Sequence, residues 1–212
     1  MRLKYVRVFP NYRSVNKDWG RGRSMSASKR EELVQKALDS FYRGGFHAIG
    51  MDRLAKETGV SKTAIYKHFR SKDDLILATL RLRDEQFRNR LMRRIEALAD
   101  DPRDRLLAIF NALGEWFAEP GFRSCMFIKA SSEFQTRGEP IHTMSAEHKH
   151  LLARYFEELA LAAGATDPGN LARQLLVIKE GAIVLAHLHE PSLVASDAKA
   201  LAQVAIEAAI QN

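Results

Sequence analysis

Lys62, Thr63, Tyr66, Lys67, His68 and Lys72 lie close together in the stretch GVSKTAIYKHFRSKDDL, residues 59 to 75. Ammonium, hydroxyl, phenol and imidazole donors crowded this way are suited to holding an anion, not to breaking a bond. A packed core gains little from such a surface, whereas phosphate oxygens gain charged donors and nearby backbone amides. Ser61 and Ala64 complete the candidate contact set. Lys72 is the most telling member. It falls in the first turn of a helix, where the dipole disfavours a cation by a few tenths of a kcal/mol, roughly. A bound phosphate there turns that penalty into a gain.

Other reactive side chains are scattered. Cys125 is the only cysteine, so an intrachain disulfide and a multi-cysteine metal site are both excluded. Arg123 and Lys129 nearby would favour its thiolate, so a sensing thiol stands beside the plainer reading of a small buried apolar residue. His148 and His150 are two positions apart and face different sides of a helix, and His187 and His189 fail the same test. No glycine-rich phosphate loop, nucleophile elbow or paired-carboxylate motif is present. We therefore expect no catalytic residues, no metal, no cofactor and no enzyme.

The elements that must position the anion-binding set read as helices throughout. Ser28 and Glu31 form a capping box. Leu33, Ala37 and Phe41 follow at spacing four, and Gly44-Gly45 ends that helix. A short helix from Met51 to Thr58 is stopped by Gly59. A third runs from about Lys62 to Phe69, with Ser61 as N-cap and Ile65 and Phe69 turned inward. Ser71 and Asp74 cap a long fourth helix with the stripe Leu80, Phe87, Leu91, Ile95, Leu98. Asp101-Pro102 and Asp167-Pro168 each give an N-cap followed by an N1 proline. Further helices are expected over 123 to 135, after Pro140, and over about 197 to 210. The fold class is all-α with about nine helices. A glycine-linked pair of short helices walled by a third is a helix-turn-helix, in which Lys62 and Thr63 would reach base edges and Tyr66 and His68 phosphates or base methyls.

Charge agrees with that assignment. The net charge is +7. Residues 1–27 carry +6, residues 28–80 carry +3, and residues 81–212 carry −2, so the basic character sits in the N-terminal third. Residues 1–27 have no helical period and read as a disordered basic arm, or as a stretch ahead of a start at Met25; the alternative is an arm lying along DNA. No apolar run is long enough to span a bilayer and no signal-peptide core is present. We expect a cytoplasmic protein with no membrane partner.

The segment FHAIGMDRLAKETGVSKTAIYKHFRSKDDL resembles the N-terminal domain of TetR-type (TetR/AcrR) transcriptional regulators. The Gly59-Val60-Ser61 turn, Tyr66, His68-Phe69 and Ser71-Lys72 carry the likeness. That family often has Thr or Ser where this chain has Ile49 and Gly50, so a capping hydroxyl is absent. The resemblance implies a DNA-binding head at 28–72 and a larger ligand-binding and dimerisation domain at 73–212. It implies a homodimer that holds a palindromic operator on double-stranded DNA and is released by a small-molecule effector, most simply a repressor. For the effector pocket we expect Trp116, Phe117, Phe122, Cys125, Met126, Phe127, Met144 and Tyr155, residues that would otherwise be plain core. The next-to-last helix is apolar around more of its circumference than one core requires. The resemblance implies a four-helix interface there, with Leu171, Leu175, Ile178, Ala182 and Leu185 joined by Leu201, Ala205 and Ala208 of the last helix. A non-specific DNA-coating protein and a helical enzyme with a vestigial DNA-binding motif remain as alternatives.

Overall fold

The computed structural model describes residues 29–210. Ser28 and the basic arm of 1–27 lie outside the described residues, so the first capping box and the arm reading do too. Among the described residues the chain is nine helices and no strand: α1 Lys29–Gly44, α2 Met51–Thr58, α3 Lys62–His68, α4 Lys72–Leu98, α5 Pro102–Phe117, α6 Met126–Glu133, α7 Pro140–Ala162, α8 Pro168–Leu185 and α9 Pro191–Ala209. No helix among them is long and apolar enough to cross a membrane.

Helix starts follow local chemistry. Asp101 accepts from Arg103 N and Asp167 from Asn170 N, each ahead of an N1 proline. Ser61 and Ser71 cap α3 and α4 in the same way. Two starts differ from expectation. α6 begins at Met126 instead of 123, because Ser124 takes a left-handed φ of 65° and Cys125 is extended. α9 begins at Pro191 instead of about 197. Pro191 is an N1 proline like Pro102, where the missing amide costs nothing.

α1 packs on α2 and α4, and α2 on α3. The remaining helices form one body in which α4, α5 and α7 touch pairwise, α8 lies on α7, and α9 lies across α5 and α8. α4 joins the two parts. Its first turns bury Leu75, Ile76 and Leu80, and its far end buries Leu91 and Ile95. The division expected at 72/73 thus falls in the first turn of an unbroken helix. In the same buried row sits Asp84, an acid where the pattern calls for an apolar residue.

Candidate nucleic-acid interface

The turn between α2 and α3 is fixed from both sides. Gly59 has φ 71° and its amide bonds Ala55 O. A Cβ there would meet nothing within 4 Å, so the glycine is required by its backbone angle and not by space. Thr58 is buried, donates to Leu54 O at 2.7 Å and accepts from Val60 N at 3.3 Å. Lys36 of α1 reaches Thr58 O at 3.1 Å and ties the turn to α1. Ile65 and Phe69 point inward, and the remaining surface of α3 faces out. Tyr66 is 50% exposed. Ser61, Lys62, Thr63, Lys67 and His68 are exposed as well, while Ala64 and Lys72 are half-buried.

Two lysines are engaged where the sequence suggested free heads. Lys62 pairs with the exposed Asp52 at 2.5 Å. An exposed pair of this kind is worth only about 0–1 kcal/mol, so a phosphate or base edge displaces it easily. Lys72 does not wait beside free amides. Its ammonium turns back to His47 O at 3.5 Å, satisfying a carbonyl of the α1–α2 loop. Gly50 caps α2 without a side-chain bond and Ile49 is fully buried, so the hydroxyl missing from the sequence is missing from the surface too.

The head is clamped to the body through α6. Both Glu133 carboxylate oxygens accept from Phe46 N at 3.0 Å, and one accepts from His47 N at 2.5 Å. Phe134 packs on the His47 ring at 4.8 Å. At the other end of α6, Tyr42 Oη donates to Ser124 O at 3.1 Å and accepts from Arg123 N at 3.0 Å. Lys129 Nζ donates to Tyr42 O at 3.2 Å. Sequence reasoning missed this junction, because its members belong to no single motif.

Inside the body, the expected aromatic residues divide. Trp116, Cys125, Met126 and Phe127 line one small cavity. Phe117 and Phe122 pack on Trp116 from outside it, at ring distances of 5.9 and 4.9 Å. Met144 and Tyr155 do not line it; Tyr155 packs beside Phe156 in the core. Four lining residues were not anticipated: Arg83, Phe87, His148 and Lys179. The signal was present as charged residues in apolar rows, with Asp84 between Leu80 and Leu91 and Lys179 between Leu175 and Ala182.

These polar groups form two linked sets. His148 Nδ1 donates to Asp84 Oδ1 at 2.7 Å, and Arg88 binds Asp84 with two nitrogens at 2.6 and 2.9 Å. Burial holds the His148 imidazole down to about 4, against the pull of Asp84, so at neutral pH this contact is a hydrogen bond to an uncharged ring. Burial opposes the Asp84 charge, yet the bonds from His148 and Arg88 keep it below the usual carboxylate range. In the second set, Glu180 accepts from Lys149 at 2.7 Å and Lys179 at 2.6 Å. Burial works against its charge, but the two ammoniums outweigh it and hold it down to about 2. Lys149 also reaches Cys125 Sγ at 3.3 Å.

Comparison with known proteins agrees with this geometry. Residues 33–79 match the family described as bacterial regulatory proteins, tetR family. The HTH-type transcriptional regulator YjdC of Escherichia coli is 23% identical over 73% of this chain and 81% of its own. A TetR-family transcriptional regulator of Streptomyces coelicolor superposes with a TM-score of 0.81 at 27% identity, over 86% of this chain and 90% of that one. A putative TetR transcriptional regulator of Streptomyces avermitilis is 30% identical over 88% of this chain and the whole of that one, with a TM-score of 0.74. This chain belongs to the TetR family. It is accordingly a ligand-responsive, DNA-binding transcriptional regulator, all-α as the helix pattern predicted, with an N-terminal helix-turn-helix and a C-terminal domain.

The residues of α8 and α9 expected at a subunit interface divide by burial. Leu171, Leu175 and Ala182 are buried within the single chain, where α8 lies on α7 and α9. They hold the subunit together. Ile178 and Ala205 are half-buried, and Leu185, Leu201 and Ala208 are exposed. The uncovered apolar residues of α8 are instead Val177, at 72% exposure, Val184 and Leu185, continued by Leu188. On α9 they are Leu193, Leu201 and Val204. A helix apolar on all sides has an inner and an outer face, and its sequence alone does not say which is which.

Proposed function

We propose that this chain acts as a homodimeric repressor: Ser61, Lys62, Thr63, Ala64, Tyr66, Lys67, His68 and Lys72 contact a palindromic operator, and a small-molecule effector bound in the body loosens that grip. In this reading the head comprises residues 28–72, the body follows it, and the chain is a regulator rather than an enzyme. The observation that carries the reading is the outward row of α3. Among the described residues, Tyr66, Lys67 and His68 hold no ion pair or side-chain hydrogen bond, so they give nothing up on meeting a phosphate. The uncovered apolar face of α8 and α9 supports dimer formation, since a contiguous exposed patch of this kind marks an interface. Two heads would then sit one helical turn apart on DNA, about 34–36 Å.

Coupling between the sites is supported by α6. Its first turn, at Met126 and Phe127, lines the inner cavity, and its last residue, Glu133, grips the head. Eight residues span about 12 Å. Any ligand that moves the start of α6 therefore moves the clamp on the α1–α2 loop. By linkage, DNA must weaken the ligand by the factor with which the ligand weakens DNA.

In-vitro selection from random duplexes, followed by binding anisotropy on the selected site, tests the reading. We expect an enriched palindrome, with Tyr66→Ala lowering affinity about tenfold while stability shifts by no more than about 0.5 kcal/mol. Equal affinity for selected and random duplex at every salt concentration would instead establish a non-specific DNA-coating protein.

A further inference from the structure

The interior of the body carries more positive charge than its acids balance. Lys179 is 0% exposed, and the only carboxylate it meets among the described residues is Glu180, which it shares with Lys149. The other buried acid, Asp84, is already matched by Arg88, and its second partner His148 is uncharged. Arg83 lines the same cavity and pairs with no carboxylate among the described residues; its guanidinium lies over the rings of Tyr42 at 4.8 Å and Phe87 at 6.0 Å. Every buried side-chain nitrogen and oxygen among the described residues has a hydrogen-bond partner. The donors are therefore satisfied, and what is left over is charge. Burial, reinforced by the neighbouring Lys149 ammonium, depresses the Lys179 amine against the pull of Glu180, and an anion brought near would favour its protonated form.

That charge lies behind a wall that a ligand can reach. A second cavity, of about 410 Å³, opens between α4 and α5 and shares Arg83, Phe87 and Trp116 with the inner one. Its floor is apolar, with Leu91 and Leu113 beside the two aromatic rings, and Arg90, Arg93, Arg94 and one carboxylate, Glu115, stand around it. Arg94 is held by Glu115 at 2.6 Å and Arg90 by Glu119. The Lys179 ammonium sits 5.7 Å from the Phe87 ring centroid, so its field acts through the shared wall. The inner cavity, about 10 Å³, has room for roughly one water and cannot take a ligand body. A volume of a few hundred Å³ with an apolar floor and few convergent polar groups is that of a small-molecule site.

We propose that the α4–α5 cleft binds an aromatic organic anion, its ring on Phe87, Trp116 and Leu113 and its carboxylate directed at Arg83, with the buried Lys179 behind. This names the ligand class for the effector reading above and rests on it. A cationic ligand would face three arginines at the mouth, where the one carboxylate, Glu115, is already held by Arg94, and a buried lysine beyond the wall. A neutral one would leave that charge unanswered.

The full-length protein is titrated by calorimetry with three probes of one shape: 2-naphthoate, 2-naphthamide and 2-naphthylmethylammonium. We expect naphthoate to bind at least ~10-fold more tightly than the amide, with the ammonium weakest. Lys179→Met and Arg83→Gln should each cut the preference for acid over amide by about tenfold. Equal binding of acid and amide overturns the inference, as does no binding of any probe, or a preference that survives in both variants. The three-probe series on the unaltered protein decides the matter even if a variant fails to fold. Operator affinity is measured in parallel. A clear acid preference with unchanged DNA affinity leaves the anion site standing and removes the effector reading. An uncharged compound that releases DNA, with no acid preference among the probes, does the reverse.

Discussion

At the scale of single residues, the pair His148–Asp84 makes the stability of the fold depend on pH. His148 binds a proton at about 6.5 when the chain is unfolded and only at about 4 when it is buried. Its folded value is depressed, so the unfolded chain holds more protons across that window. The stability is fully present above the unfolded value and is lost as pH falls through 6.5 toward 4. We expect the free energy of unfolding, measured with denaturant, to drop by about 2 kcal/mol between pH 7.5 and 5 through this residue. His148→Gln keeps a donor for Asp84 and should remove that part of the slope. A slope unchanged in the variant would place the proton elsewhere. The histidine was visible in the sequence as a member of an apolar row, but its partner was not. Asp84 lies 64 positions away on another helix, and nothing in either local pattern links the two.

At the scale of elements, the head was the most legible part, because each of its signals is local. The Gly59 turn, the Ser61 cap and the Ile65 and Phe69 anchors act within a few residues of one another, and all stand where the pattern puts them. The junction was not legible, because Glu133 meets Phe46 and His47 across the fold. Gly45 records that meeting. It has φ 79°, and a Cβ on it would stand 2.9 Å from Glu133 Oε1. Gly45→Ala should therefore destabilise the protein by about 1 kcal/mol, chiefly from the left-handed angle, and should push the Glu133 carboxylate off its place. Glu133→Gln should do less to stability, since one amide oxygen still accepts, but it loosens the clamp. Thermal unfolding should separate the two variants. Ligand release of DNA should weaken in Glu133→Gln, and full release there would show that α6 does not carry the coupling.

At the scale of the whole molecule, the proposed dimer requires one side of α8 to meet a second copy. On α8 the residues expected at the interface fall mostly in the inner row. Burial separates the two rows: Leu175 is fully enclosed in one subunit, whereas Val177 is 72% exposed, two positions along and on the opposite face. These two residues make opposite predictions. Leu175→Ala removes core contacts and should cost about 2–5 kcal/mol of unfolding free energy, with no direct effect on association. Val177→Arg costs the folded subunit almost nothing, because its side chain already lies in water. In a two-fold interface the same substitution appears on both copies, setting like charges against an apolar partner face. Open space at Gly181, where a Cβ meets nothing within 4 Å, lets a partner helix come close and magnifies the effect. We expect sedimentation equilibrium to give a monomer for Val177→Arg under conditions where the unaltered chain is a dimer. Affinity for a palindrome should fall with it, because each head alone reads one half-site. A Val177→Arg protein that stays dimeric and keeps its DNA affinity would move the interface off α8, and with it the geometry that sets the distance between heads.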